Sequence, residues 1–515
     1  MTTERSIGII SRVPCVGTRI AVAQAGGPMA EATDARIKAN ASQTDLERHA
    51  IGLPAVTAQS AALIGPAVGA VAGIAFVTTF AGAATPLAFL IGLVICLCIA
   101  VVIGEYAKRL PSAGSFYTYL TQTFGAKTGF VTGVLLFGAY LLLFPFQLDF
   151  FGNFVAGLFP SLGSGVWVFF SLALIAVSTT LGILGIKPSL RTGLIGLAFE
   201  MSVLTIFSLI IIFQGGAHGN TLQTFNPASS LHGNSGLMTA VVYTIFAFVG
   251  FESATTLGDE AINPRKTIPR SVLLTTLVVG VFFVVVSYAV TIGYGTSVSE
   301  IKALGAAPAP FNTLADHFGN GVLSAFVNLA VISSFIALDI VTVIALSRVL
   351  WKMGKDRLLP SALAKVNRHQ SPWVASLVAC VFAVVVSVVG GEVWQPLNFA
   401  SWLSYFATLF FIGAYILISV GLFWFIWKGY RNEFSWWRHG LLPLVSLVSV
   451  GWVLWGNIHP YPPAPLYWFI YGTVAAIILS ILFAVYQDRK DHERMLFAGQ
   501  LMADVEAEES NAIEE

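Results

Sequence analysis

Charge is what this 515-residue sequence has least of: Asp, Glu, Lys and Arg make up 10% of it, against 56% hydrophobic residues and a mean hydropathy of +0.80. A soluble chain of this length needs a polar skin over its core, and so little charge cannot form one. Cysteine is nearly absent too. Cys15 stands in the N-terminal stretch, and Cys96, Cys98 and Cys380 lie inside apolar runs. Cys96 and Cys98, two apart on a helix, point to different faces, so neither a disulfide nor a metal site is expected. The histidines (His49, His218, His232, His317, His369, His439, His459 and His492) fall in loops, tails or helix ends. With 27 basic against 26 acidic residues spread over many loops, there is no patch for nucleic acid.

Long apolar runs take the place of charge. A bilayer requires about 20 apolar residues per helical span. Twelve candidate spans lie near 53–80, 83–104, 128–157, 165–186, 190–213, 237–257, 271–294, 321–350, 373–390, 396–427, 439–457 and 464–486. The expected fold is all-α, a polytopic membrane protein of 12 transmembrane helices. With both termini placed in the cytoplasm, every one of the 27 Lys and Arg except Lys302 falls on the cytoplasmic side, the bias that the positive-inside rule describes. Residues 1–50 are polar and rich in small residues. Their run Ile20 to Ala25 is too short for a signal-peptide core of roughly 7–15 residues, so they read as a cytosolic tail, with Met29 an alternative start. Residues 487–515, with Glu506, Glu508, Glu509, Glu514 and Glu515, read as a second, solvated tail.

Two spans are interrupted. The first contains Ile64-Gly65-Pro66-Ala67-Val68-Gly69, where proline removes a backbone donor and the glycines weaken the helix in mid-span. Taken alone, this pair also reads as a packing kink. The sixth contains Phe246-Ala247-Phe248-Val249-Gly250-Phe251-Glu252, then runs through Gly258-Asp259-Glu260-Ala261-Ile262-Asn263-Pro264 to Ile268-Pro269-Arg270. Hydrocarbon offers no hydrogen-bond partner to a broken backbone, so paired breaks in corresponding spans point to a transporter binding site.

The sixth-span stretch resembles the sixth transmembrane helix of the amino acid–polyamine–organocation (APC) family of secondary transporters. Pro111-Ser112-Ala113-Gly114-Ser115-Phe116-Tyr117-Thr118-Tyr119 is similar to that family's signature after helix 2, and the run from Ser347-Arg348 through Met353 and Asp356 to Leu359-Pro360 to its loop after helix 8. The likeness covers about residues 47–427. It implies a leucine-transporter-type fold: a 5+5 inverted repeat with helices 1–5 in 51–213 and 6–10 in 214–427, followed by two extra helices in 428–486. It also implies a permease that moves amino acids or related amines across the cell membrane by alternating access. Ile64, Gly65, Pro66, Ala67, Val68 and Gly69 would offer amides to a substrate carboxylate. Phe246, Ala247, Phe248, Val249 and Gly250 would offer carbonyls to its amine, with Phe246 closing over it. The coupling ion would be a proton rather than sodium. Exchange and sodium symport stay open, Ser333 and Ser334 being the hydroxyls that sodium would use; serines in apolar helices also simply bond to their own backbone.

Four acids lie inside spans. Glu200 sits about nine residues past Arg191, some 14 Å into its helix, near the midplane. An intramembrane acid is a functional candidate by default, although a protonated, hydrogen-bonded core residue is the plain alternative. Glu200 is the first candidate for ion coupling and Glu252 the second. Asp149, about 20 residues past the start of helix 3 and so roughly 30 Å up, reads as solvated and structural. Asp339 reads as a packing or hinge residue. A membrane enzyme is the different class to weigh, but no cluster of carboxylates or histidines suited to metal or water activation is visible. No cofactor is expected, the lipid bilayer is the surrounding partner, and the oligomeric state is not readable.

Overall fold

The computed structural model describes residues 50–490 except 164, 185, 308–309, 320, 356–358 and 460–463. Both tails, with Cys15 and Met29, lie outside the described residues. Among the described residues, twelve helices are long and apolar enough to cross a membrane. In order they are Leu53–Ile64 continued by Pro66–Ala81 (span 1), Thr85–Ala107 (span 2), Ala126–Leu158 (span 3), Val166–Ile183 (span 4), Ile186–Phe213 (span 5) and Gly233–Ala247 continued by a 3-10 stretch Phe251–Leu257 (span 6). Then come Pro264–Tyr294 (span 7), Gly321–Lys355 (span 8), Trp373–Trp394 (span 9), Pro396–Gly429 (span 10), Leu442–Ile458 led by a π turn Trp436–Leu441 (span 11) and Leu466–Lys490 (span 12). Among the described residues the only extended pairing is an isolated bridge between Ile51 and Ala261.

Burial ranks the spans. The Leu53–Val71 part of span 1 and span 8 are each 78% buried in their apolar windows and span 6 is 72% buried, while span 12 is 17% buried. The two interrupted helices thus lie with span 8 in the centre of the bundle, and the last span lies at its rim. The first half of span 1 packs on spans 5, 7 and 8 and on the 3-10 stretch of span 6; its second half packs on the first half of span 6. Spans 2 and 7 pair, as do spans 3 and 10 and spans 5 and 8.

Three helical pieces are not apparent from hydropathy: Phe116–Phe124 before span 3, and Val298–Ala306 and Pro310–Phe318 between spans 7 and 8. The second of these opens with a capping box, Ser297 with Glu300, and His218 Nε2 lies 2.6 Å from Glu300 Oε1. That histidine contact, with the Ser297 bonds, lowers the Glu300 carboxyl to about 2.

Both breaks are real departures from helix. Gly65 ends the first half of span 1 in the left-handed region at φ 64°, and Pro66 starts the second half, where its missing N–H costs nothing. Gly250 stands at φ 121° between the two parts of span 6. The breaks also touch. A Cβ on Gly250 would lie 2.8 Å from the Leu63 carbonyl carbon and 2.9 Å from Ile64 N, closer than real contacts allow. Gly250→Ala therefore imposes a backbone clash on top of an unfavourable φ, and it should cost about 2–4 kcal/mol. Gly73→Ala, whose Cβ would meet Ala247 Cβ at an ordinary 3.9 Å, should stay within about 0.5 kcal/mol. Thermal unfolding of the two detergent-purified variants checks the contrast; equal melting points would mean that the backbones do not meet as described.

Candidate functional site

The site is built around the two breaks, and a buried carboxylate serves each. In the first turn after Gly65, Pro66 has no N–H and the Gly69 N–H donates to the Gly65 carbonyl at 2.8 Å. The Ala67 N–H donates to Glu200 Oε2 at 3.1 Å. Glu200, from span 5, is fully buried. Its charge thus faces the N-terminal end of a half-helix, where free amides and the helix dipole favour an anion. Ser334 is the neighbouring side-chain polar group. Glu200 Oε1 and the Ser334 hydroxyl are both buried without a hydrogen-bond partner among the described residues. Ser333 is half-buried and packs over Gly196, one turn from Glu200 on span 5.

The amides of the run at the first break differ in what they meet. Of the run Ile64 to Gly69, Pro66 cannot donate, and the amides of Ala67 and Gly69 are taken. Val68 is left as the amide of that turn facing no partner among the described hydrogen bonds.

At the second break, Phe248 N–H donates to the Ile245 carbonyl at 3.1 Å and Val249 N–H to the Phe246 carbonyl at 3.0 Å, so the helix tightens before it stops. Phe248 is fully buried and meets Phe283 of span 7 edge to face, with ring centroids 5.5 Å apart. Phe246 is half-buried. Phe248 is thus a core side chain, whereas Phe246 keeps an accessible face.

Glu252 is bonded at both carboxyl oxygens. Tyr140 of span 3 donates its hydroxyl to Oε1 at 2.9 Å, Tyr415 of span 10 donates to Oε2 at 2.8 Å, and the Gly250 N–H donates to Oε2 at 3.0 Å. One carboxyl thereby ties the break in span 6 to two unbroken spans. Neither tyrosine stands out in the sequence, since each is one aromatic within a long apolar run. The sole available signal is that a buried acid requires donors.

Asp149 departs from the expectation of a solvated residue. It is fully buried, and Ser387 of span 9 donates to Oδ1 at 2.5 Å. Asp339 is also fully buried, with the Ser178 hydroxyl of span 4 bonded to Oδ2. Neither acid is brought to the breaks by any described hydrogen bond. The cysteines Cys96, Cys98 and Cys380 are free and buried, and no group of three or more metal-binding side chains occurs among the described residues.

Removing either tyrosine hydroxyl withdraws one donor from a buried carboxyl, which typically costs about 1–3 kcal/mol. Because Tyr140 and Tyr415 serve the same group, Tyr140→Phe and Tyr415→Phe should be non-additive by more than about 0.5 kcal/mol in a double-mutant cycle. Urea or thermal unfolding in detergent gives the four stabilities; strict additivity would mean that the two hydroxyls act on separate partners.

Comparison with known proteins adds to this geometry. The sequence matches the amino acid permease family over residues 58–456. It is 26% identical to the branched-chain amino acid permease BcaP of Bacillus subtilis, across 70% of this chain and 77% of that protein. It is 24% identical to the low-affinity putrescine importer PlaP of Escherichia coli, across 72% of this chain and 80% of that one. The serine/threonine exchanger SteT of Bacillus subtilis is 24% identical, across 59% and 68%.

Proposed function

Since the chain belongs to the amino acid permease family, and is thus a membrane transporter rather than an enzyme, we propose that it takes up a neutral amino acid across the cell membrane by alternating access, coupled to protons. The distribution of Lys and Arg supports cytoplasmic termini. The two repeats, 51–213 and 214–427, rock against each other around the touching breaks of spans 1 and 6. The Val68 amide and the carbonyls around Ala247 to Val249 supply the polar contacts for the substrate carboxylate and amine. Neither Ile64 to Gly69 nor Phe246 to Gly250 contains a charged side chain, which supports a neutral or amine-bearing substrate. So do the relatives named for branched-chain amino acids.

The observation that carries the coupling is the Ala67 N–H on Glu200. A carboxylate there neutralises the positive end of the second half of span 1. A proton taken from outside removes that charge and weakens the grip on Ala67, so occupancy of Glu200 and the shape of the break are linked. Glu252 is the second candidate, although its oxygens are already held by two tyrosines and a backbone amide. Obligate exchange is the competing reading, favoured by the likeness to a protein named as an exchanger. In a sodium-coupled variant, Ser333 and Ser334 would supply ligands.

Uptake into proteoliposomes from one mixture of amino acids, polyamines and small amines, under an inward proton gradient and read by mass spectrometry, tests substrate and coupling together. One neutral amino acid class should accumulate with the gradient. Glu200→Gln should reduce gradient-driven accumulation about tenfold or more while leaving counterflow exchange measurable. Unchanged gradient dependence in that variant would remove Glu200 as the coupling group, and accumulation only against preloaded substrate would select exchange.

A further inference from the structure

The end of span 10 and the turn into span 11 carry four of the chain's 12 tryptophans, Trp424, Trp427, Trp436 and Trp437, and all four are exposed. Span 11 is 28% buried in its apolar window, so most of its surface faces lipid rather than protein. Between it and span 10 runs a groove of about 590 Å³, lined by Ser419 and Phe423 on one side and by Trp436, Trp437, Leu444 and Leu447 on the other. From Trp436 to Leu447 the chain rises by roughly 15 Å, half of a hydrocarbon core of about 30 Å. The groove is as deep as one leaflet.

Its shape is fixed from behind. Phe434 meets Phe423, Trp427 and Trp436 edge to face, with ring centroids 5.9, 5.9 and 5.3 Å apart. The Ser435 N–H donates to His439 Nδ1 at 2.9 Å, which leaves Nε2 facing Glu105 of span 2 at 3.3 Å. The Ser419 and Ser446 hydroxyls, 2.8 Å apart, join the two spans beside the groove. Positive charge gathers at the same corner. Lys428, Arg431 and Arg438 are exposed, and none has a carboxylate partner among the described residues. Between Trp424 and Leu441 the only acid is Glu433, and Arg109 Nη2 takes its Oε2 at 2.5 Å. Arg438 directly follows Trp437 of the groove, and Arg431 lies 4.4 Å over the ring of Trp427, which itself stacks on Phe423.

We propose that this corner binds one anionic phospholipid of the leaflet at the basic end of the bundle, its phosphate among Lys428, Arg431 and Arg438 and one acyl chain in the groove between spans 10 and 11. Tryptophans and basic residues at a membrane interface are common. What sets this corner apart is a preformed groove of one-leaflet depth beside three cations without acids. An empty apolar groove costs its lining the dispersion contacts that a chain would supply. Basic pockets at helix ends attract anionic headgroups, and a zwitterionic headgroup offsets its own phosphate. A second copy packed here across a two-fold axis would bring the same three cations against themselves, which disfavours it as the occupant.

The test uses the full-length protein, stripped of lipid in a neutral detergent and given dioleoyl phosphatidylglycerol or dioleoyl phosphatidylcholine. Native mass spectrometry reads the one-lipid adduct and thermal unfolding reads its effect, so no transport activity is needed. Phosphatidylglycerol should form the adduct at about tenfold lower concentration than phosphatidylcholine and should raise the melting temperature. Arg431→Gln/Arg438→Gln should erase that preference. Val420→Trp, placed where an exposed side chain lines the groove, should weaken the adducts of both lipids. Lys365→Gln/Arg368→Gln removes equal charge from the exposed loop after span 8 and should keep the wild-type preference. The two site variants act on opposite ends of the lipid, so if one fails to fold the other still decides. Equal binding of both lipids to the wild-type protein, or a preference that survives in folded Arg431→Gln/Arg438→Gln or vanishes equally in the loop control, would overturn the headgroup site. Undiminished adducts in folded Val420→Trp would overturn the groove. The same stabilisation from glycerol 3-phosphate alone, or one that rises with protein concentration, would give the corner to a free anion or to a second copy and refute the lipid.

Discussion

A helix broken inside hydrocarbon leaves amides and carbonyls that lipid cannot satisfy, and the centre of this molecule is arranged around meeting that demand. Each break receives a buried carboxylate. Glu200 comes from span 5 to Ala67 N–H, and Glu252 folds back onto Gly250 N–H within its own helix. Each break therefore brings a fully buried carboxyl into the centre of the bundle. Span 1 and span 6 touch through bare backbone, with Gly250 against Leu63 and Ile64. The two breaks are thereby in direct contact.

The tyrosines on Glu252 show how unevenly the demand is met. Tyr140 and Tyr415 fill its lone pairs from two unbroken spans, so this acid is anchored in three directions. Glu200 has one amide and an oxygen without a partner among the described residues. The two buried acids thus differ in how completely their oxygens are held, Glu252 by two tyrosines and an amide and Glu200 by an amide with Ser334 beside it.

Much of this was legible before the fold was known. The twelve spans follow from apolar length punctuated by Arg and Lys, and Gly65-Pro66 and Gly250 mark the breaks because no other residues enter those conformations so readily. The helices at 116–124, 298–306 and 310–318 escaped because they are too short for a hydropathy signal. The burial of Asp149 escaped because counting rise along a helix gives a residue's height and not the face it presents, and its partner Ser387 lies 238 positions away. Partners distant in sequence were invisible altogether. Glu260 and Arg348 are 88 positions apart, and nothing in either segment names the other.

The polar contacts away from the breaks have a different character, and the difference bears on what can move. Ser387 joins span 9 to Asp149 of span 3, Ser178 joins span 4 to Asp339 of span 8, Gln147 of span 3 donates to Thr342 of span 8 at 2.9 Å, and Thr179 meets Cys380 of span 9 at 2.9 Å. Spans 3, 4, 8 and 9 are thus sewn to one another by side chains. Each such bond adds only about 0.6 kcal/mol in a membrane, but several between the same helices resist sliding because all must break together. Spans 1 and 6 are tied differently: the Ser60 hydroxyl of span 1 donates to the Phe251 carbonyl of span 6, the Thr244 hydroxyl of span 6 to the Ala88 carbonyl of span 2, the Thr275 hydroxyl of span 7 to the Thr57 carbonyl of span 1, and Tyr140 and Tyr415 hold Glu252. Their links run to backbone carbonyls and to a carboxyl beside a break, whereas those among spans 3, 4, 8 and 9 join side chain to side chain. A rearrangement of the breaks must therefore exchange bonds to backbone and carboxyl groups.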